Sequence, residues 1–420
     1  MTVVDPGATG VPRIAVILAT PPGFNPGMAA TELAVLAFLK RHGFLSEARF
    51  YRLVGLAERL RALPADVQAG IARQAETGVG YESAVDGYDD IIGSDVVLFW
   101  ADFLHMAHYQ RSLVKTAGRL ASPPLDKAGA SRLVRKLFLL SEADDSTLGR
   151  ALTFGTTLLF NTAADQADPD YGEPLRRFMT HARRVWVRDA LSAARVAHLR
   201  RDYRSGYLGV DAASLLRRED LIGMGEGEAA RSGGMLVFLG RDPAVRDGMM
   251  HVARRLADVL GRPPAWLPWG GATAFPNLAA APIPLATPID ADTLQLLRAV
   301  ANASLVVTDT YHLALLAWSL GVPAVATFSG SGEAAADVSC GARFNWRDKR
   351  EVFFSQYDAL EFLIRPEELT EAGRLSARLS RLEATVQDPS LRAAVSGGIR
   401  SHAETVEVDL ADEIRAMLSR

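Results

Sequence analysis

The stretch Leu305-Val-Val-Thr-Asp-Thr-Tyr-His-Leu-Ala-Leu-Leu-Ala-Trp-Ser-Leu-Gly-Val-Pro-Ala-Val-Ala, ending at Ala326, reads as strand, polar tip, helix and second strand with almost no spare residues. Leu305 to Thr308 is a short apolar run of a buried strand. Tyr311 to Leu320 has helical length and is closed by Gly321, and Val322 to Thr327 begins the next strand after Pro323. A strand, a helix and another strand in such close order predict parallel strands joined by a crossover helix.

The same logic extends outward. Upstream, Met235 to Leu239 reads as a buried strand, Pro243 to Leu260 as a helix, Trp266 to Trp269 as a strand-like segment and Asp292 to Ala301 as a helix. An earlier series has strands at Arg13 to Ala19, Arg49 to Val54, Val96 to Trp100, Val185 to Val187 and Tyr207 to Val210, with a helix at Thr31 to His42. Between the series lies Gly-rich sequence, Gly223 to Gly234, read as a linker. The expected fold class is therefore α/β, two Rossmann-like lobes facing a cleft, with domains at 1–230 and 231–420. The charged helical tail from Arg365 to Arg420 is expected to pack on one of the lobes.

Composition agrees with that picture. The chain has 420 residues, too many for one ordinary core, and its 49% hydrophobic and 23% charged residues exclude a disordered or disulfide-scaffold protein. The single cysteine, Cys340, forms no internal disulfide and suits a reducing compartment. The net charge of -3 excludes a globally basic nucleic-acid binder, so no nucleic-acid partner is expected. No run of about 18 apolar residues predicts a transmembrane segment. The apolar run Ile14 to Leu18 is too short and too poorly flanked for a leader. A cytoplasmic protein, at most peripheral to a membrane, is the expectation. One segment stands apart: from Arg176 to Arg204 nine arginines face only Asp189 and Asp202, a local balance of +7 that obliges the rest of the chain to carry -10. It can guide an anion or lie on anionic lipid, or simply solvate helix faces.

In open parallel sheets ligands bind beyond the carboxyl ends of the strands, which selects Thr20 to Met28, Ala101 to His108, Arg188 to Ser192 and Asp309 to His312. His312 falls in the first helical turn after its strand, where a proton donor stands beside N–H groups able to receive an anion. Asp309 is a candidate site acid or the helix N-cap. Asp102, His105 and His108 recur every three residues. Each such step turns the side chain by about 60 degrees, so a shared metal is not expected and Asp102 and His105 read as an acceptor-binding wall. Arg241, after the strand at Met235, is a candidate phosphate ligand, and Glu333 a candidate sugar or nucleotide contact. No cofactor is expected.

The segments Asn25-Pro-Gly, Trp186-Val-Arg-Asp-Ala-Leu-Ser and Thr308-Asp-Thr-Tyr-His with its following Leu-Gly-Val-Pro together resemble the polysaccharide pyruvyl transferase family over most of the chain. The resemblance implies a GT-B-like fold and transfer of a pyruvyl group from phosphoenolpyruvate to hydroxyls of a saccharide acceptor, a cell-surface glycan or its lipid-linked precursor. It implies His312 as acid/base with Asp309 beside it and Arg188 as the fork for a carboxylate or phosphate. Asn25, Gly27, Asp189, Ser192 and Thr310 would contact substrate. Two positions depart from the family pattern: Thr310 stands where an arginine is usual, and Met28 where an aspartate is common. Arg347 and Lys349 are the nearby cations able to replace that arginine, although Trp346-Arg-Asp-Lys-Arg reads first as a helix lead-in. Two other functions fit the same residues: a GT-B glycosyltransferase using a nucleotide sugar, and a non-catalytic ligand-binding descendant.

Overall fold

The computed structural model describes residues 13–19, 25–53, 80–101, 103–121, 123–203, 206–223, 233–240, 243–270, 283–328 and 348–420. Asp102, Arg241, Glu333, Cys340, Arg347 and most of the Gly223 to Gly234 segment lie outside them. Two compact units emerge. The first takes the described residues of 1–23, 31–215 and 403–420, the second those of 24–30 and 216–402. The division expected after residue 230 thus lies at Leu215 and Leu216, and two short segments belong with the other half of the chain.

The first unit is a six-stranded parallel sheet of β1 (Ile14–Leu18), β2 (Ala48–Arg52), β3 (Tyr81–Ser83), β4 (Val96–Trp100), β5 (Ala151–Thr156) and β6 (Arg184–Val187). Their order is β3-β2-β1-β4-β5-β6, the doubly wound arrangement with its switch point between β1 and β4. The continuous apolar runs of β1 and β4 are buried throughout, as helices on both faces require. Its longer helices are α1 (Pro26–His42), α2 (Ala107–Leu120), α3 (Lys127–Leu139), α4 (Gly172–His181) and α5 (Ala190–Arg200), the first turn of α1 being grouped with the second unit. The expected strand at Tyr207 to Val210 amounts to one bridge, Val187 to Leu208.

The second unit is a five-stranded parallel sheet of β7 (Met235–Phe238), β8 (Pro264–Trp266), β9 (Leu305–Thr308), β10 (Ala324–Thr327) and β11 (Leu363–Ile364), in the order β11-β10-β9-β7-β8. Its chain reverses direction across the sheet between β7 and β9, a second switch point. Its longer helices are α6 (Pro243–Leu260), α7 (Thr293–Asn302), α8 (Tyr311–Ser319), α9 (Lys349–Gln356) and α10 (Ala372–Gln387). Every residue of α8 from Tyr311 to Trp318 is buried, which explains its apolar character all round. Gly321, at φ 78°, ends the helix, with its N–H on Trp318 O and the Val322 N–H on Ala317 O.

The last helix, α11 (Pro389–Leu418), gives its residues from Ala403 onward to the first unit. There Arg183 pairs with Glu413 at 2.6 Å, and both Arg184 and the indole N–H of Trp186 reach Asp409, at 3.2 and 2.9 Å. Among the described residues no helix is long and apolar enough to cross a membrane.

Candidate functional site

The second switch point is where the fold offers a ligand site, and the tip after β9 is built for rigidity. Asp309 is 1% exposed, and its carboxylate accepts the Gly240 N–H at 3.1 Å, tying the loop after β7 to the loop after β9. Thr310 gives its hydroxyl to the same oxygen at 3.3 Å, and its N–H goes to Thr308 Oγ1 at 3.0 Å. Asp309 is therefore not the N-cap. Thr310 holds that position with extended dihedrals, and its side chain makes no capping bond to the first turn of α8. Tyr311 and His312 follow on that turn, their rings edge to face at 5.3 Å.

Asn25 and Gly27 belong to the same unit. The Asn25 side chain accepts the N–H groups of Gly27 and Met28 at 3.1 and 3.3 Å, and its carbonyl accepts that of Ala29, which starts α1 at Pro26 rather than at Thr31. Proline at the first helical position is pre-set for this. Gly27 lies against the histidine: a methyl group there would stand 2.6 Å from His312 Cβ and 2.8 Å from Nδ1. Asn25, Gly27, Asp309, Thr310 and His312, far apart in sequence, are thus brought together in one unit.

One group at this tip was not foreseen. Arg350, 8% exposed, grips Asp348 with Nε to Oδ1 at 2.6 Å and Nη2 to Oδ2 at 2.7 Å, while Nη1 donates to the carbonyl of Asp309. Its neighbour Lys349 places its ammonium 4.8 Å from the centre of the Tyr311 ring. The sequence signal for Arg350 is the pattern Asp-x-Arg at a helix start, since Asp348 also caps α9 by accepting the Arg350 N–H at 2.7 Å.

The remaining candidates lie in the first unit. Arg188 does not pair with Asp189 on the surface; its guanidinium meets Asp211 at 3.0 Å with both side chains buried. Asp189 caps α5 by accepting the Ser192 N–H at 2.8 Å, and its other oxygen takes the hydroxyls of Ser192 and Thr157 at 2.8 and 2.7 Å. Ser192 Oγ in turn accepts the Leu158 N–H at 2.8 Å. The three candidates act as a buried brace between the exits of β5 and β6. His105, expected on a substrate-facing wall, is 0% exposed, between Phe99 and Phe178, with its ring nitrogens on Phe138 O and Thr153 Oγ1 at 2.8 and 3.0 Å. Burial lowers its pKa to about 3 and keeps it neutral. His108 is exposed, and the described residues contain no cluster fit to hold a metal ion.

The arginine-rich segment is largely consumed by internal partners. Arg176 meets Glu173, Arg177 meets Asp145, and Arg183 and Arg184 meet α11. Arg195 donates to the carbonyls of Leu158, Leu159 and Asn161, and Arg200 to those of Met179 and Ala182.

The fold is GT-B-like. The chain is similar to a Listeria monocytogenes protein assigned as a UDP-N-acetylglucosamine 2-epimerase, with a TM-score of 0.50 and 11% identity over 95% of this chain and 96% of that one. It is also similar to the UDP-N-acetylglucosamine 2-epimerase of Methanocaldococcus jannaschii in complex with UDP-GlcNAc and UDP, at a TM-score of 0.45 and 11% identity over 94% and 98% of the two chains. A third similar structure is an alpha-glucosyltransferase in complex with UDP and a 13-mer DNA containing an HMU base, at 0.47 and 9% over 97% and 100%. At such identities the likeness concerns the fold. No family model and no curated protein sequence matches the chain.

Proposed function

We propose that the chain is a GT-B-type glycosyltransferase that takes a nucleotide-sugar donor on its second unit, beyond the carboxyl ends of β7 and β9. The observation that carries the reading is the joined tip of Gly240, Asp309 and His312 at the switch point. There the bond between Gly240 and Asp309 joins the two strand exits, and the start of α8 stands beside an imidazole, a pairing suited to an anionic ligand. The Listeria protein of similar fold is named for a UDP-sugar substrate, which supports this class of donor.

The chemistry favours transfer. Asp309 is 1% exposed and spends a carboxylate oxygen on the Gly240 N–H and the Thr310 hydroxyl, so it ties the tip together rather than facing a sugar carbon. Helix N–H groups and a histidine instead suit a diphosphate as it leaves and gathers charge, an electrostatic role. Pyruvyl transfer asks more of this chain: Thr310 brings no cation, and Arg188 is already neutralised by Asp211.

Thermal unfolding with UDP, UDP-N-acetylglucosamine and phosphoenolpyruvate separates the readings. A ligand at 100 times its Kd stabilises the folded state by about 2.7 kcal/mol. UDP and its sugar are expected to raise the Tm of the native chain and to do so far less for His312→Ala. A rise with phosphoenolpyruvate and none with UDP would replace this reading with pyruvyl transfer, and formation of an epimer of the sugar without any acceptor would replace transfer with epimerisation.

A further inference from the structure

The carbonyl of Asp309 lies three residues before His312, and the group that holds it comes from a helix 41 positions away in the sequence. We infer that Arg350 is a positioning residue for the donor site: its fork on Asp348 sets the tip that presents His312, and so sets how tightly the site holds a nucleotide diphosphate. The inference rests on the site proposed above and adds to it a residue that touches no substrate.

Three features of the geometry carry it. The guanidinium is fixed before it reaches the tip, because Asp348 holds it through two parallel bonds and is itself fixed as the cap of α9. A bidentate fork of that kind defines the plane of the guanidinium, so the third donor, Nη1, has one direction to point, and it points at Asp309 O. Asp309 is then held twice, by Arg350 on its carbonyl and by Gly240 on its carboxylate, so the peptide leading into α8 has little freedom. The start of α9 also covers Tyr311, with the Lys349 ammonium 4.8 Å from the ring centre and the Phe353 ring edge to face with it, 6.0 Å between centroids. One helix start therefore fixes both residues that flank Thr310. The charge is internally balanced by Asp348, which makes Arg350 a brace and leaves the anion to the helix start and His312.

The test compares the native chain with Arg350→Met, Arg350→Lys and Asp348→Asn, with Arg255→Met, which removes an exposed pair with Glu383, as control. Two measurements need no ligand: amide hydrogen exchange of the segment 309–313, and the imidazole carbon resonance of His312, assigned by its absence in His312→Ala. The third is UDP affinity by calorimetry. Loss of charge-assisted hydrogen bonds predicts exchange about tenfold or more faster in that segment for Arg350→Met, a displaced His312 resonance and about tenfold weaker UDP binding. Arg350→Lys, which keeps the charge without the fork, is expected to recover only part of each. Asp348→Asn keeps the arginine and loosens its aim, so it reports on the brace even where Arg350→Met fails to fold. Unchanged exchange and an unmoved His312 resonance in Arg350→Lys and Asp348→Asn overturn the inference, whatever UDP does. If those two signals move while the native chain binds no UDP, the brace stands and the site reading falls.

Discussion

Gly27 and His312 fit each other so closely that a single added carbon has nowhere to go. The backbone of α1 gains helix propensity from alanine, about 1 kcal/mol, but a methyl at 2.6 Å from His312 Cβ must displace the imidazole or the helix start. Gly27→Ala is expected to lose about 1 to 3 kcal/mol of stability, the usual cost of overpacking, and to weaken UDP binding with it. Denaturant unfolding together with calorimetry checks this, and a variant of native stability and native affinity would contradict the contact. His105 teaches the opposite lesson about histidines. In the folded chain burial holds its pKa near 3, below the unfolded value of about 6.5, so the unfolded state binds the extra proton between those values. Its contribution is complete above pH 6.5 and shrinks as pH falls, by about 2 kcal/mol at pH 5. Unfolding measured at pH 7 and pH 5 is expected to show a smaller drop for His105→Gln than for the native chain. Spacing alone could not separate these two histidines. Both follow strand ends; what sets His105 apart is its enclosure by Phe99, Phe138 and Phe178, residues the sequence scatters, with both ring nitrogens spent on Phe138 O and Thr153 Oγ1.

Among the elements, the strands that were legible are those with unbroken apolar runs. β4 and β9 stand as read from the sequence, β1, β7 and β10 lie within their expected spans, β2 and β6 each begin one residue before theirs, and β8 shares only Trp266 with the segment expected there. β3 and β11 were not read, the first because Tyr-Glu-Ser at a sheet edge has no apolar run, the second because two residues are too few for a pattern. β5 is the instructive omission. Its six residues are all buried, yet Thr153, Gly155 and Thr156 interrupt the hydrophobic signal. Gly155 is there for geometry: it sits at φ 74°, where the register with β6 slips between Phe154 and Thr156, and a side chain would meet the Ala212 backbone N at 2.7 Å. Gly155→Ala should therefore cost about 3 kcal/mol or more, adding left-handed strain to a clash with backbone. Urea unfolding measures it, and a loss below 1 kcal/mol would mean the bulge can be ironed out. The start of α1 was misplaced for a related reason, since a proline and a glycine look like loop until Asn25 is seen to cap them.

Over the whole molecule, a net charge of -3 conceals how charge is arranged. The excess of arginine between Arg176 and Arg204 finds part of its compensation more than 200 residues later, in Asp409 and Glu413 of α11, a pairing that no local pattern announces. The same helix carries Glu407, 3% exposed, whose Oε1 accepts from Arg41 Nε at 3.0 Å and contacts His42 Nε2 at 2.9 Å, while Arg41 also holds the carbonyl of Leu215 at 3.0 Å. Arg415 of α11 lies 3.1 Å from the other nitrogen of His42, so this one carboxylate gathers the end of α1 and the end of the chain within the first unit. Because Glu407 is buried and the Arg41 side chain is only 20% exposed, removing the carboxylate charge leaves that guanidinium facing a neutral group in a poorly hydrated place. Glu407→Gln is expected to lose about 3 kcal/mol, the lower part of the range for breaking a buried pair. Asp412→Asn, on the exposed side of the same helix where it meets Arg415 at 2.7 Å, is expected to lose at most about 1 kcal/mol. Thermal unfolding of the two variants beside the native chain decides the matter. Equal losses would mean that the terminal helix is held by its apolar face alone, through Val406, Leu410 and Ile414, and that the buried carboxylate contributes nothing to its docking.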